Sequence, residues 1–401
     1  MRTLLLILAL LVLATAVYAV GDQAYLGIFA ETKVQKMVGM PEMPMLPPGM
    51  DESNLPPGLA GLLGGSKPQR LLNVRLWSPS LAPADAFASI VPPAGLKQGN
   101  KLDLELYRPK PEKATGDKEG DGEENGTMEM PKFTIKIYWG SSETVKPGQP
   151  KIITFDGLTP EQKEKMESQA KKSQASASGD YFYKPDWTTG YWPTKKQPGK
   201  IATDAKLVGN YALTTNYTGN VEIEAPSNVD FLSPITMTSP NLSKKVPMDK
   251  FIPFKWEPIP NLLGSHASIT GMEGKDTIVI WYSSEVYNEG TMTVDWDYLQ
   301  MAEVRDFVAK KIMMPGSQSN ATVPVGIFKN CDGVFMNMVG YGPGAALAKA
   351  QPLPRIQTKT TLAIMPLGGK NMPDMGDMGD MGDMGDGDMP ELPELPEEMD
   401  E

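Results

Sequence analysis

Cysteine and histidine are nearly absent: the 401 residues contain one of each. With Cys331 alone there is no intrachain disulfide, so stability must come from packing rather than covalent cross-links. With His266 alone there is no histidine-rich zinc site, and any catalytic triad would have to use this one residue. It sits in Gly264-Ser265-His266-Ala267-Ser268 with no G-x-S-x-G serine nearby, and reads as a turn or strand residue. Basic charge is in deficit too. There are 38 Lys and Arg against 49 Asp and Glu, for a net charge of −11. A nucleic-acid surface would need clustered basic charge, which the chain lacks. Long apolar runs are confined to Leu4–Val17, shorter than the roughly 20 residues that span a bilayer.

That one run follows Arg2 and precedes Val17-Tyr18-Ala19, a small-x-small cleavage pattern. It reads as a signal peptide over residues 1–19, with the mature chain starting near Val20 and no transmembrane helix left after cleavage. A lipoprotein anchor needs a cysteine just after the run, and none is there. Export without disulfides points to a bacterial protein that is periplasmic, at the cell surface or secreted. Sequons at Asn125, Asn216, Asn241 and Asn320 are short enough to recur by chance.

Glycine (39) and proline (37) are abundant, which predicts many turns and few long helices. The charge is uneven: from Lys370 to Glu401 there are 12 acidic residues and one lysine, so the body before it is balanced. Residues 20–36 hold a first strand, Ala24–Val34. Residues 37–68 form a Pro/Met/Gly-rich linker or insertion. Strict alternation follows. Leu72, Val74 and Leu76 point away from Asn73, Arg75 and Trp77, and the same period recurs at Leu102–Tyr107, Phe133–Trp139 and Val221–Glu224. Period two marks half-buried strands, read here as antiparallel. The resulting fold class is mainly β: two β-sandwich-like domains, residues 69–227 and 228–369, and a disordered acidic Met/Gly/Asp tail, residues 370–401. Thr159-Pro160-Glu161-Gln162 starts a polar surface helix near 160–175. A second helix near 296–312 carries Val304, Phe307, Val308 and Ile312 on one side and is expected to pack on a sheet. Further strands are expected at Pro234–Thr238, Ile252–Trp256, Ser268–Thr270, Thr277–Tyr282, Thr322–Phe328 and Gln357–Met365.

Residues 232–286 hold Ile252-Pro-Phe-Lys-Trp256 and, after a turn, Ile278-Val-Ile-Trp281. This stretch resembles fibronectin type III and immunoglobulin-like modules. The resemblance implies a strand tryptophan packed between two sheets.

Several stretches invite a chemical reading. Ser168 and Lys171 match S-x-x-K but lie on the polar helix, where a lysine base would stay solvated. Asp117, Glu119 and Asp121 open like a calcium loop, yet the twelfth position is Met128 rather than a bidentate Glu. The glycines Gly340, Gly342 and Gly344 lack phosphate-loop register and read as a turn. Met372, Met375, Met378, Met381 and Met384 recur every third residue, a soft-donor pattern suited to Cu(I). Tyr181, Tyr183, Trp187, Tyr191 and Trp192 form an aromatic cluster interleaved with Lys184, Asp186 and Lys195, the composition of a surface that stacks on sugars. No cofactor is implied beyond these Ca²⁺ and Cu(I) options. The leading expectation is a non-catalytic exported protein that binds an envelope glycan or a protein partner, or serves a structural role. The alternatives are copper handling through the methionines, or a polysaccharide-acting enzyme or glycan-binding module, the enzyme using paired carboxylates.

Overall fold

The computed structural model describes residues 23–38, 67–79, 81–108, 133–154, 187–288 and 296–370, with single positions at 157, 159–160, 290–291 and 294. Among them the chain is mainly β, as the alternation predicts. The longest sheet runs in the order β5 (Glu105–Tyr107), β8 (Thr188–Trp192), β2 (Gln69–Ser78), β1 (Tyr25–Lys36), β19 (Leu353–Gly368), β17 (Gly333–Tyr341), β13 (Gly264–Glu273), β14 (Thr277–Tyr282), β6 (Thr134–Trp139) and β7 (Lys151–Thr154). Short strands β15 (Met314–Pro315) and β18 (Ala345–Ala346) join it at β13 and β19. Two small sheets pack side by side against its inner face. One is β10 (Val221–Ala225), β9 (Gly209–Thr215), β3 (Ala88–Val91) and β4 (Leu102–Asp103); the other is β11 (Met237–Ser239), β12 (Ile252–Trp256) and β16 (Asn320–Val323).

Each small sheet closes its own apolar core. In the first, Leu26, Ile28, Val74, Leu76 and Trp192 of the long sheet meet Ile90, Tyr211, Leu213 and Ile223. In the second, Ile269, Val279, Trp281, Met336, Leu362 and Ile364 meet Phe254, Trp256 and Val323. Both cores share β1 and β19. One face of β1 gives Leu26 and Ile28 to the first core and Val34 to the second. Between them lie Thr32, Thr358 and Thr360, all buried. Threonine suits a buried strand when its hydroxyl reaches a carbonyl. Thr32 donates to Leu232 O at 2.7 Å and Thr358 to Pro343 O at 2.7 Å.

Some expectations need correction. The strands are not all antiparallel: β1 runs parallel to β19 over twelve residue pairs, and β14 runs parallel to β6. Alternation reports which face is buried and carries no information on direction. Residues 134–154, assigned by sequence order to the first unit, join the long sheet beside β14 of the second. The alternating run Leu102–Tyr107 is two strands, because the chain crosses from the small sheet to the long one at Leu104. Gly340 is not in a turn but within β17. A Cβ there would stand 2.8 Å from Leu262 Cδ1, so the glycine permits close approach. The polar helix expected near 160–175 lies almost wholly outside the described residues.

The second expected helix is present as α1 (Met301–Ala309), shorter than its apolar pattern. Glu303 Oε2 accepts the backbone N–H of Gln300 at 2.7 Å and sets the start. Its end is a Schellman turn: Lys311 N–H donates to Val308 O and Ile312 N–H to Phe307 O. The residue held in the left-handed region there is Lys311, at φ 58°. That conformation costs a side-chain-bearing residue about 1 kcal/mol, so Lys311→Gly should raise unfolding stability by about that amount in urea titrations. No gain would mean that contacts of the lysine stem offset the backbone cost.

Candidate functional site

The outer face of the long sheet is the opposite of the inner one. Paired residues share a face, so the ladders can be read across as rungs. One rung is Glu105, Tyr191, Arg75, Gly27 and Arg355. The neighbouring rung is Tyr107, Thr189, Trp77 and Tyr25. On the other side follow Asn73, Phe29 and Gln357, then Glu31 and Lys359. Gly27 has no side chain because the Phe29 ring folds back over it, with the Trp77 ring alongside. Phe29 then packs edge-on to Trp77 (centroids 6.1 Å) and Tyr298 (5.4 Å). Above this floor, Arg355 lies over the Phe29 ring at 5.2 Å and Arg75 approaches Tyr191 at 5.9 Å. Arg75 also donates to the carbonyls of Val74 (2.8 Å) and Trp192 (2.7 Å), and burial holds its pKa down at about 10. Trp77, Thr189 and Phe29 are buried, so what this face opens to solvent is Tyr107, 40% exposed, with Tyr191, Tyr25, Arg75 and Arg355 half-buried.

Beside it, residues 296–299 form a strap across the sheet. Tyr341 donates its hydroxyl to Trp296 O, Gln357 donates to Leu299 O, and Lys359 ion-pairs with Asp297 at 2.9 Å. The Lys359 ammonium also pairs with Glu31 at 3.4 Å and lies 5.3 Å from the Tyr298 ring. Burial works against its charge, but Glu31 and Asp297 together outweigh burial and raise its pKa above the ordinary lysine value. Here two carboxylates come close together, the arrangement a polysaccharide-cleaving enzyme would need. Both, however, serve one buried ammonium, whereas a general acid must be free to hold and release a proton.

His266 lies under the strap, 2% exposed, its ring stacked on Trp296 with centroids 3.7 Å apart and planes 8° off parallel. Tyr282 is a second aromatic neighbour, and among the described residues Nε2 has no hydrogen-bond partner. Burial alone pushes its pKa down to about 3, so it is neutral at neutral pH. Because the unfolded chain takes up the proton near pH 6.5 and the folded one near 3, stability is full above 6.5 and declines as pH falls between those values. The slope from this residue is about 1.4 kcal/mol per pH unit. His266→Phe, which keeps an aromatic ring for the stack, should flatten the loss between pH 6.5 and pH 5 by about 2 kcal/mol in denaturant titrations. An unchanged slope would show that other groups govern acid unfolding.

The sequence-derived sugar-binding set is divided by the fold. Tyr191 is on the outer face, and Trp187 is half-buried just before β8. Trp192, one residue on from Tyr191, is 1% exposed in the first core, so it cannot stack on a sugar. Tyr181 and Tyr183 lie outside the described residues, as do Met372, Met375, Met378, Met381, Met384, the Asp117 loop and the Ser168/Lys171 pair. Residues that the cluster-based reading passed over are Tyr25, Trp77, Tyr107, Arg75 and Arg355. The outward direction of Arg75 and Trp77 was legible from the alternation of β2; their neighbours on other strands were not. Among the described residues no group of three or more His, Cys, Asp and Glu is placed to hold a metal ion. Nor is any helix long and apolar enough to cross a membrane, which leaves strands out of account. No protein-family model matches the sequence, and no curated protein is detectably similar to it.

Proposed function

We propose that this is an exported, non-catalytic protein that binds a glycan at the cell envelope through the outer face of the long sheet. The observation that carries the reading is that Tyr107, Tyr191 and Tyr25 stand on neighbouring rungs with Arg75 and Arg355, outward of the buried Trp77 and Phe29. Flat aromatic rings supply apolar area for the faces of sugar rings, and guanidinium and phenol groups supply directed hydrogen bonds. A sheet holds such groups in fixed register, so little ordering entropy is lost on binding. Export is read from Arg2, the apolar run to Val17 and the cleavage pattern at Ala19.

The test is a titration of the mature chain from Val20 against soluble oligosaccharides of envelope type. Tyr191→Ala and Tyr107→Ala should each weaken binding about tenfold, equivalent to about 1.4 kcal/mol. Phe87→Ala, an exposed aromatic beside the small sheet, should leave it unchanged. Binding that survives both tyrosine substitutions would place the ligand elsewhere.

A further inference from the structure

Arg355 is the anomalous residue of the outer face. It is flanked on its rung by Gly27 and Ala346, which bring no polar side chain to it. Its guanidinium rests over Phe29 at 5.2 Å. Among the described residues it makes no hydrogen bond and no ion pair. Arginine presents five N–H donors in a planar fork, and a guanidinium sheltered by protein without a counter-charge is unfavourable unless something else supplies one. Glu303, in the first turn of α1, acts on it through space without an ion pair, and Glu303 Oε2 accepts the Gln300 N–H. Arg75, two strands and about 10 Å away, is instead engaged with backbone carbonyls, so it adds positive charge but fewer free donors.

We infer that Arg355 receives an anionic substituent, a carboxylate or sulfate, carried by the glycan. This rests on the outer face being the glycan-binding surface. The planar fork matches two oxygens of such a group, and the Phe29 ring gives the guanidinium an aromatic face to rest against. The acids around it set the ligand class more narrowly. Glu105 stands at one end of the rung, Glu303 acts on Arg355 from α1, and Glu31 with Asp297 surrounds Lys359. A densely charged polyanion would meet these carboxylates, whereas a chain with isolated acidic sugars separated by neutral ones places its charge at Arg355. The ligand class is therefore a glycan with spaced acidic residues.

The probes are hyaluronan oligosaccharides, with an acid on every second sugar, and neutral chitin oligosaccharides of the same length. Each is titrated calorimetrically into the mature full-length chain at low and at physiological salt. The acidic oligomer is expected to bind about tenfold more tightly, with the advantage shrinking as salt rises. Arg355→Met should abolish that advantage and bring the two oligomers to equal affinity, while Arg355→Lys, which keeps the charge without the fork, should keep only part of it. A thermal melt of each variant establishes that it is folded. Equal affinity for the two oligomers, both sensitive to Tyr191→Ala, would overturn the anion assignment and keep the platform. An acidic preference that persists in folded Arg355→Met would also overturn it. Binding of neither oligomer would remove the platform reading and the anion with it.

Discussion

Trp281→Ala is expected to cost about 4 kcal/mol of unfolding free energy, near the middle of the range for large aromatic truncations in cores. Trp281 is fully buried, on the inner face of β14, in the core that β12 and β16 close from the other side. Its Nε1 donates to Gly140 O at 3.0 Å, just after the end of β6. The substitution therefore removes two contributions. It leaves a cavity between sheets whose strands are fixed by their ladders and cannot collapse into it, and it leaves a buried carbonyl unpaired. Trp281→Phe should cost less, since the ring volume is mostly retained and chiefly the hydrogen bond is lost. The shared seam adds a second expectation. Because β1 and β19 serve both cores, urea denaturation should remain one transition whether followed from the first core or the second. Two separated transitions would show that the halves fold independently, and a loss under about 1.5 kcal/mol would mean that the cavity is filled by neighbours.

Lys359→Met should cost about 3 kcal/mol, and most of that should arise from what remains rather than from what is removed. The lysine side chain is 11% exposed and its partner Glu31 15% exposed, so both are largely out of water. Asp297, at 58% exposed, rehydrates when the ammonium is lost and contributes little. Glu31 keeps a hydrogen bond from the Thr361 hydroxyl but no compensating charge. The decisive comparison is the double variant Lys359→Met with Glu31→Gln, which removes the stranded charge. It should recover at least half of the loss, since replacing a buried pair together is often near neutral. A double variant as unstable as the single one would show that Lys359 acts by fastening the strap through Asp297. The strap itself has an optical reporter in Trp296, whose fluorescence should change if residues 296–299 lift from the sheet.

Much of the fold was legible before the structure. Alternation marked β2, β6 and β10 to within three residues, because a strand with one face in a core must place its apolar residues with period two, and β12 and β14 were expected at their observed bounds. Strands β3, β8 and β9 were harder to see. They are short or rich in small and polar residues, as in Thr188-Thr189-Gly190, and their burial is imposed by neighbours rather than announced by composition. For α1, the apolar stripe located the helix, while the capping residue Gln300 and the left-handed Lys311 set ends that hydrophobicity does not encode.

The candidate site divides in the same way. Cluster counting picked out Tyr191 and Trp192 together, but adjacent residues in a strand face opposite sides, and one of them had to go into the core. From the residues alone follow the mainly-β class, the side chains that the alternating strands β2, β6 and β10 turn outward, and the place of the one long apolar run. What the folded chain alone reveals is that β1 and β19 run parallel as a common seam, that Arg75 and Arg355 flank Gly27, and that Lys359 meets both Glu31 and Asp297. The reason is physical. The direction of a side chain from a strand is a local property of the backbone, fixed by every second residue. Which strand lies beside which is fixed by hydrogen bonds and burial between segments as many as 330 residues apart, and no local pattern records it.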